Sequence, residues 1–213
     1  MVTALLVYLL AFSFAYISLN AGAGALILFG AVQLTMFAVA IAEGERFSVP
    51  AWGGIALAAG GLIYLLMPGA AVPNMAGALL MVVAGIAWGT YSLLGRGTAD
   101  PMAVTASNFL FCCPVVIAVS AVFVGDTTID VLGTVLAILS GSLASGCGYA
   151  AWYTAVNGMT AGRAAVVQLS VPALVALASA MILFEPITTR LVMASMITLG
   201  GVALVLSQRT RGR

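Results

Sequence analysis

The side chains that carry most protein chemistry are scarce in this chain of 213 residues, which has no histidine, three cysteines, six carboxylates and seven arginines. Without imidazole there is no His-dependent triad, no histidine metal ligand and no histidine proton relay. Cys112 and Cys113 are adjacent in an apolar run and Cys147 sits among small residues. Those spacings suit no metal and read as small buried hydrophobes. All three aspartates, Asp100, Asp126 and Asp130, lie between apolar stretches, so no intramembrane aspartyl dyad can form. What remains is a set of neutral polar and aromatic side chains inside apolar stretches: Gln33, Asn108 and Gln168, with Trp88, Tyr91 and Trp152. Such groups stack and hydrogen-bond without making or breaking bonds, which suits recognition of a largely apolar or zwitterionic small molecule. They are the substrate-pathway candidates. The competing reading of Gln33, Gln168 and Asn108 is hydrogen-bonded glue between helices, and that of Trp152 is an aromatic belt at the headgroup level. Glu45, Glu185 and Pro172 are the gating candidates; the two carboxylates read equally as anchors at helix ends, and Glu185-Pro186 as a helix start. No catalytic residue, metal or cofactor is expected, and the chain does not read as an enzyme.

The elements that position these residues follow from composition. Hydrophobic residues make up 63% of the chain and charged ones 6%, and the mean hydropathy is +1.21. A water-exposed surface needs roughly 25–35% charged residues, so most of this surface faces lipid. Soluble enzymes, nucleic-acid binders and disordered chains are excluded, and a net charge of +1 gives no basic field for a polyanion. Met1 runs into an apolar stretch with no basic n-region or cleavage site, so the first segment is expected to stay in the membrane. The charges cluster at Glu43/Glu45/Arg46, Arg96/Asp100, Asp126/Asp130, Arg163, Glu185/Arg190 and Arg209/Arg211/Arg213. These clusters mark loops, and the intervals between them, with breaks near 20–24 and 68–74, hold eight spans of the ~20 residues that a bilayer requires. The spans are placed at about 2–19, 24–42, 49–67, 75–95, 102–124, 131–155, 162–184 and 189–207.

Short connections make neighbouring spans antiparallel, and an even number puts both termini on one face. That face receives Arg46, Arg96, Arg163, Arg209, Arg211 and Arg213, and the other only Arg190. The positive-inside rule makes both termini cytoplasmic. Gly85-x-x-x-Gly89, Gly53-Gly54 and Gly60-Gly61 read as surfaces for close helix crossing. The Ser- and Gly-rich run from Ser140 to Gly148 reads the same way or as a flexible gate, and Pro114 and Pro172 offer kinks.

The chain also repeats itself. A shift of 140 residues aligns 29–66 with 169–206 without a gap, matching Leu34 with Leu174, Ala38 with Ala178, Ala40 with Ala180, Glu45 with Glu185, Gly60-Gly61 with Gly200-Gly201 and Leu66 with Leu206. Upstream, Tyr16-x-x-x-Asn20 resembles Tyr153-x-x-x-Asn157. The first three spans then correspond to the last three. Equivalent spans are five apart, an odd number, so they cross in opposite directions, as in the inverted repeats of secondary transporters.

Phe29-Gly30-Ala31-Val32-Gln33-Leu34-Thr35-Met36, the Gly-Glu-Arg at 44–46, Ala87-Trp88-Gly89-Thr90-Tyr91-Ser92-Leu93 and the Pro172…Glu185…Gly200-Gly201 ending resemble the EamA domain of the drug/metabolite transporter superfamily. The resemblance implies an all-α integral membrane protein built as an inverted-repeat bundle of EamA type. With eight transmembrane helices, the chain would lack the first two helices of a ten-helix fold. Residues 1–67 correspond to a partial unit of three helices, 75–207 to a complete unit of five, and 208–213 to a cytoplasmic basic tail. The implied function is a permease or exporter of small organic metabolites or drug-like compounds in a bacterial inner membrane, with Trp88 on a cavity-lining helix. The alternative is a truncated, inactive or accessory protein that needs a second chain to complete the fold. Expected partners are the lipid bilayer, a small-molecule substrate and a second copy of the chain in a homo-oligomer, with no nucleic acid.

Overall fold

The computed structural model describes residues 1–42, 44, 47–67, 73–95, 99–126, 129–148, 151, 171–172, 174–175 and 178–209. Every regular element among them is helical: α1 (Val2–Ala15), α2 (Ala21–Ala42), α3 (Val49–Leu66), α4 (Met75–Leu94), α5 (Pro101–Val122), α6 (Val131–Ile138) and α7 (Thr189–Arg209), with a 3-10 turn at Val124–Asp126. Short helical pieces also fall within 171–182. Helices α2, α3, α4 and α5 are long and apolar enough to cross a bilayer, and Val2–Ala15, Val131–Cys147 and Thr189–Val205 are shorter apolar segments. Most of the expected span at 162–184 lies outside the described residues, and with it the full count of eight.

Polar residues between the apolar stretches start the helices. Ser48 accepts from the Ala51 N–H, Asn74 from Gly77 and Asp100 from Ala103, and Asp130 does the same for Gly133 at the start of α6. Each cap satisfies a backbone donor that would otherwise be orphaned at a helix start. The expected connection between the first two helices moves. The break expected near 20–24 falls a few residues earlier, at 16–20: α2 begins at Ala21, its first amide is met by Glu185, and Gly24 lets the helix lie against the Tyr16 ring. The last helix starts at Thr189, where the span at about 189–207 was expected, and not at the Glu185-Pro186 pair, because Thr188 caps it by accepting from the Leu191 N–H. The Ser/Gly-rich segment is continuous with α6 but winds as a π-helix over Leu139–Cys147, a form concentrated at functional segments.

Helix α4 lies against both α1 and α2, and α3 lies along α7. Glycines allow these approaches. Gly85 stands over Ala31 and the Leu28 carbonyl, Gly89 over Thr35, and Gly77 beside Ser18 and Leu19, which makes Gly85-x-x-x-Gly89 a contact face as expected from small-residue packing. The α3–α7 seam has further internal order. A methyl on Gly54 would meet the Gly201 carbonyl and Val205, and one on Gly61 would meet Ala194 and Thr198; one on Gly201 would meet Gly54 and Ala58. The contacts run antiparallel and are reciprocal under the 140-residue shift, which pairs Gly54 with Ala194, Ala58 with Thr198 and Gly61 with Gly201. The Gly54–Gly201 contact thus maps onto Ala194–Gly61, and Ala58–Gly201 onto Thr198–Gly61. Self-complementary pairing of this kind is the mark of a two-fold interface. Helix α5 joins the bundle at its edge, burying only Thr105, Asn108 and Cys112 on one face.

Candidate functional site

Helices α1, α4 and α5 meet near the end of the bundle that carries Met1. Tyr91, in the last turn of α4, is 2% exposed. Its hydroxyl donates to Thr105 Oγ1 at 3.1 Å and accepts from Asn108 Nδ2 at 3.3 Å. Thr105 and Asn108 are three apart on α5, so one helical face delivers both to the same phenol. Leu5 and Cys112 pack around it. Burial leaves these polar groups dependent on each other, since water cannot replace a lost partner there.

From Tyr91 a chain of rings runs through the bundle. Tyr91 and Trp88 have centroids 5.7 Å apart, Trp88 and Tyr8 4.9 Å, Tyr8 and Phe12 5.3 Å, and Phe12 and Tyr16 4.8 Å. All four separations are within the range of favourable aromatic pairing. Trp88, Tyr8, Phe12 and Tyr16 are half-buried. Tyr8 and Phe12 on α1 and Tyr16 at its C-cap are four apart and share a face by helical periodicity.

The ribbon ends at the opposite face of the bundle, where the connections between α1 and α2 and between α3 and α4 meet the segment leading into α7. The Tyr16 hydroxyl donates to the Ala21 carbonyl at 3.5 Å, and the Ala21 N–H donates to Glu185 Oε1 at 3.0 Å. A cavity of about 290 Å³ opens here, lined among others by Ser18, Asn20, Asn74, Ser179, Glu185 and Thr188. Glu185 is aimed by its backbone. Leu183 and Glu185 both donate their N–H to the Ser179 carbonyl, and Phe184 between them has φ 54°. This left-handed closure normally takes glycine, and it holds Phe184 at a cost of roughly 1–2 kcal/mol. Arg190 turns away toward α3, donating from Nη1 to the Met67 carbonyl at 2.7 Å and lying 5.7 Å from the Tyr64 ring centre.

Of the sequence candidates, Trp88, Tyr91 and Asn108 come together. Gln33 does not join them. It is 4% exposed and lies on the side of α2 that carries Gly30 and Phe37, which face α3, whereas Ala31, Val32 and Thr35 face α4. Glu185 lines the cavity at the far end, and Pro172 is buried within a short helical piece. Trp152, Gln168 and Glu45 lie outside the described residues. Sequence reading missed Thr105 and the Tyr8, Phe12, Tyr16 stripe, although three rings at four-residue spacing were a visible signal.

Residues 75–207 match the family model described as the EamA-like transporter family. The chain is also 52% identical over 206 residues to an uncharacterized protein of Pseudomonas aeruginosa, covering 97% of this chain and 72% of that protein. With a match over more than half its length, an all-helical frame and four helices fit to span a bilayer, the chain belongs to the EamA-like transporter family.

Proposed function

We propose that the chain is a permease for small organic molecules, metabolites or drug-like compounds, which it moves by conformational alternation without cofactor or covalent chemistry. The observation that carries this reading is the ribbon of five rings, with a hydrogen-bonded polar cluster at one end and the Glu185 cavity at the other. A row of π faces offers an apolar molecule successive weak sites, as passage requires binding strong enough to enter and weak enough to leave. The reciprocal α3–α7 seam supports an inverted repeat, with residues 1–67 as three helices of one unit, 75–207 as a five-helix unit and 208–213 as a basic tail. In this reading eight helices cross the inner membrane and both termini are cytoplasmic, which places the Glu185 cavity outside.

The experiment is flux in proteoliposomes with a panel of radiolabelled metabolites. Trp88→Ala opens the ribbon between Tyr91 and Tyr8 while touching no cap or α3–α7 seam, and it should lower flux roughly tenfold or more at unchanged protein recovery. Wild-type flux from that variant would refute the route. Reporter fusions after Arg213 and within 125–130 should report cytoplasm and exterior.

A further inference from the structure

We infer that the cavity beside Glu185 is a subsite for the amino or ammonium group of a small organic cation, with Glu185 as the residue that selects the charge. This rests on the permease reading and names its substrate class.

Among the described residues lining the cavity, Glu185 alone is ionisable; the others are neutral polar or apolar. The nearest cation in sequence, Arg190, is directed to the Met67 carbonyl and the Tyr64 ring. Among the described residues, the cavity therefore carries an acidic side chain and no fixed positive one against it. The Ala21 N–H occupies Glu185 Oε1, and Oε2 accepts from no described residue. An ammonium placed there gains a charge-assisted hydrogen bond, with Asn20, Asn74, Ser179 and Thr188 as neutral oxygens around it. Next to the carboxylate, the rings of Tyr16, Phe12, Tyr8 and Trp88 continue inward, and their negative faces favour a cation over an anion. At about 290 Å³, the space lies at the lower end of the ~300–1,000 Å³ usual for ligand pockets, which fits a molecule of one ring better than a large drug. A carboxylate-bearing compound of the same shape meets repulsion from Glu185 and no compensating cation among the described residues.

The bland alternative is that Glu185 only caps α2. Glu185→Gln separates the two, because the amide oxygen still accepts from Ala21 while the charge is gone. The test is equilibrium binding to the purified full chain in nanodiscs, using phenethylamine and its anionic counterpart of similar shape, 3-phenylpropionate. Phenethylamine should bind saturably and the anion should not. E185Q should weaken the amine roughly tenfold or more, as loss of a charged partner does, at an unchanged melting temperature. Asn74→Asp keeps an N-cap acceptor for α4 and adds a second carboxylate to the cavity, so it should tighten the amine severalfold, and it decides the matter should E185Q fold poorly. Equal binding of the anion, no saturable amine binding, or unaltered amine affinity in E185Q or N74D would each overturn the inference. Glu185-dependent amine binding without flux of any compound would instead remove the permease reading and leave the subsite. Flux with no preference for cations would do the reverse.

Discussion

The doublets Gly60-Gly61 and Gly200-Gly201 give a test of the fold in which each glycine controls for its neighbour. Within each pair one member is buried in the α3–α7 seam and the other points outward: around Gly60 and Gly200 nothing lies within 4 Å of a Cβ. At Gly201 an added methyl would stand 2.5 Å from the Ala58 nitrogen and the Gly54 carbonyl oxygen, and at Gly61 it would stand 2.7 Å from the Thr198 nitrogen and 3.0 Å from the Ala194 carbonyl. These neighbours are backbone and cannot swing aside. Ordinary contact for carbon begins at ~3.5 Å, so the helices must separate by roughly 1 Å, and a gap of that size forfeits a quarter to a half of each dispersion contact along the seam. Overpacking of this kind costs about 1–3 kcal/mol. In G60A and G200A the methyl meets nothing, and helix propensity adds up to ~1 kcal/mol of stability. Alanine gains that propensity at both members of a doublet, so each seam variant should fall about 1–3 kcal/mol below its neighbour, read as a lower melting temperature by fluorescence-detected size exclusion in detergent. Reciprocity adds a stricter demand, since G61A and G201A should cost similar amounts. If G60A were as damaging as G61A, or one seam glycine tolerated alanine while its counterpart did not, the two-fold account of the seam would fail.

Other expectations concern the two ends of the ribbon. Phe184→Gly should raise the melting temperature, since the left-handed closure before Glu185 costs an L-residue roughly 1–2 kcal/mol and the ring is 88% exposed; a fall would show that the ring, not the turn, matters there. Asn108→Leu and Thr105→Val should each cost about 1 kcal/mol, with Tyr91→Phe/Asn108→Leu clearly less than additive, because both remove one hydrogen bond. Full additivity in that double-mutant cycle would mean the bond does not form in the bilayer.

The membrane class and most helix limits were legible because they depend on where charge and apolar residues fall along the chain, which is local information, and the family was legible only through the resemblance of short motifs such as Ala87-Trp88-Gly89. The repeat itself was legible too, because it carried glycine doublets that hydrophobic composition does not supply, but that Gly54 and Gly61 would pack against residues near 200 emerged only from the fold. Gln33 shows where such reading stops. A polar residue in the middle of a span announces that it needs a partner, but its direction depends on which neighbour the helix packs against, and Ala31 and Thr35 took the α4 side. The start of α2 was misplaced for a related reason: glycines that break an isolated helix become contact points once a ring lies on them, and the amide at Ala21 is satisfied from 164 residues away. Thr105 was passed over because threonine in an apolar helix usually bonds its own backbone, as Thr35 and Thr90 do here. Only the arrival of Tyr91 gives it another role.

The same seam sets a schedule for assembly. Ala194 is made 133 positions after Gly61, so at ~5–20 residues per second the glycine face of α3 waits roughly 7–27 s for α7. During that interval lipid tails must cover a surface shaped for another helix, and every variant that makes the face bulkier makes it a better lipid surface and a worse docking one. Growth temperature and translation rate should therefore affect the yield of seam variants more than their final stability does.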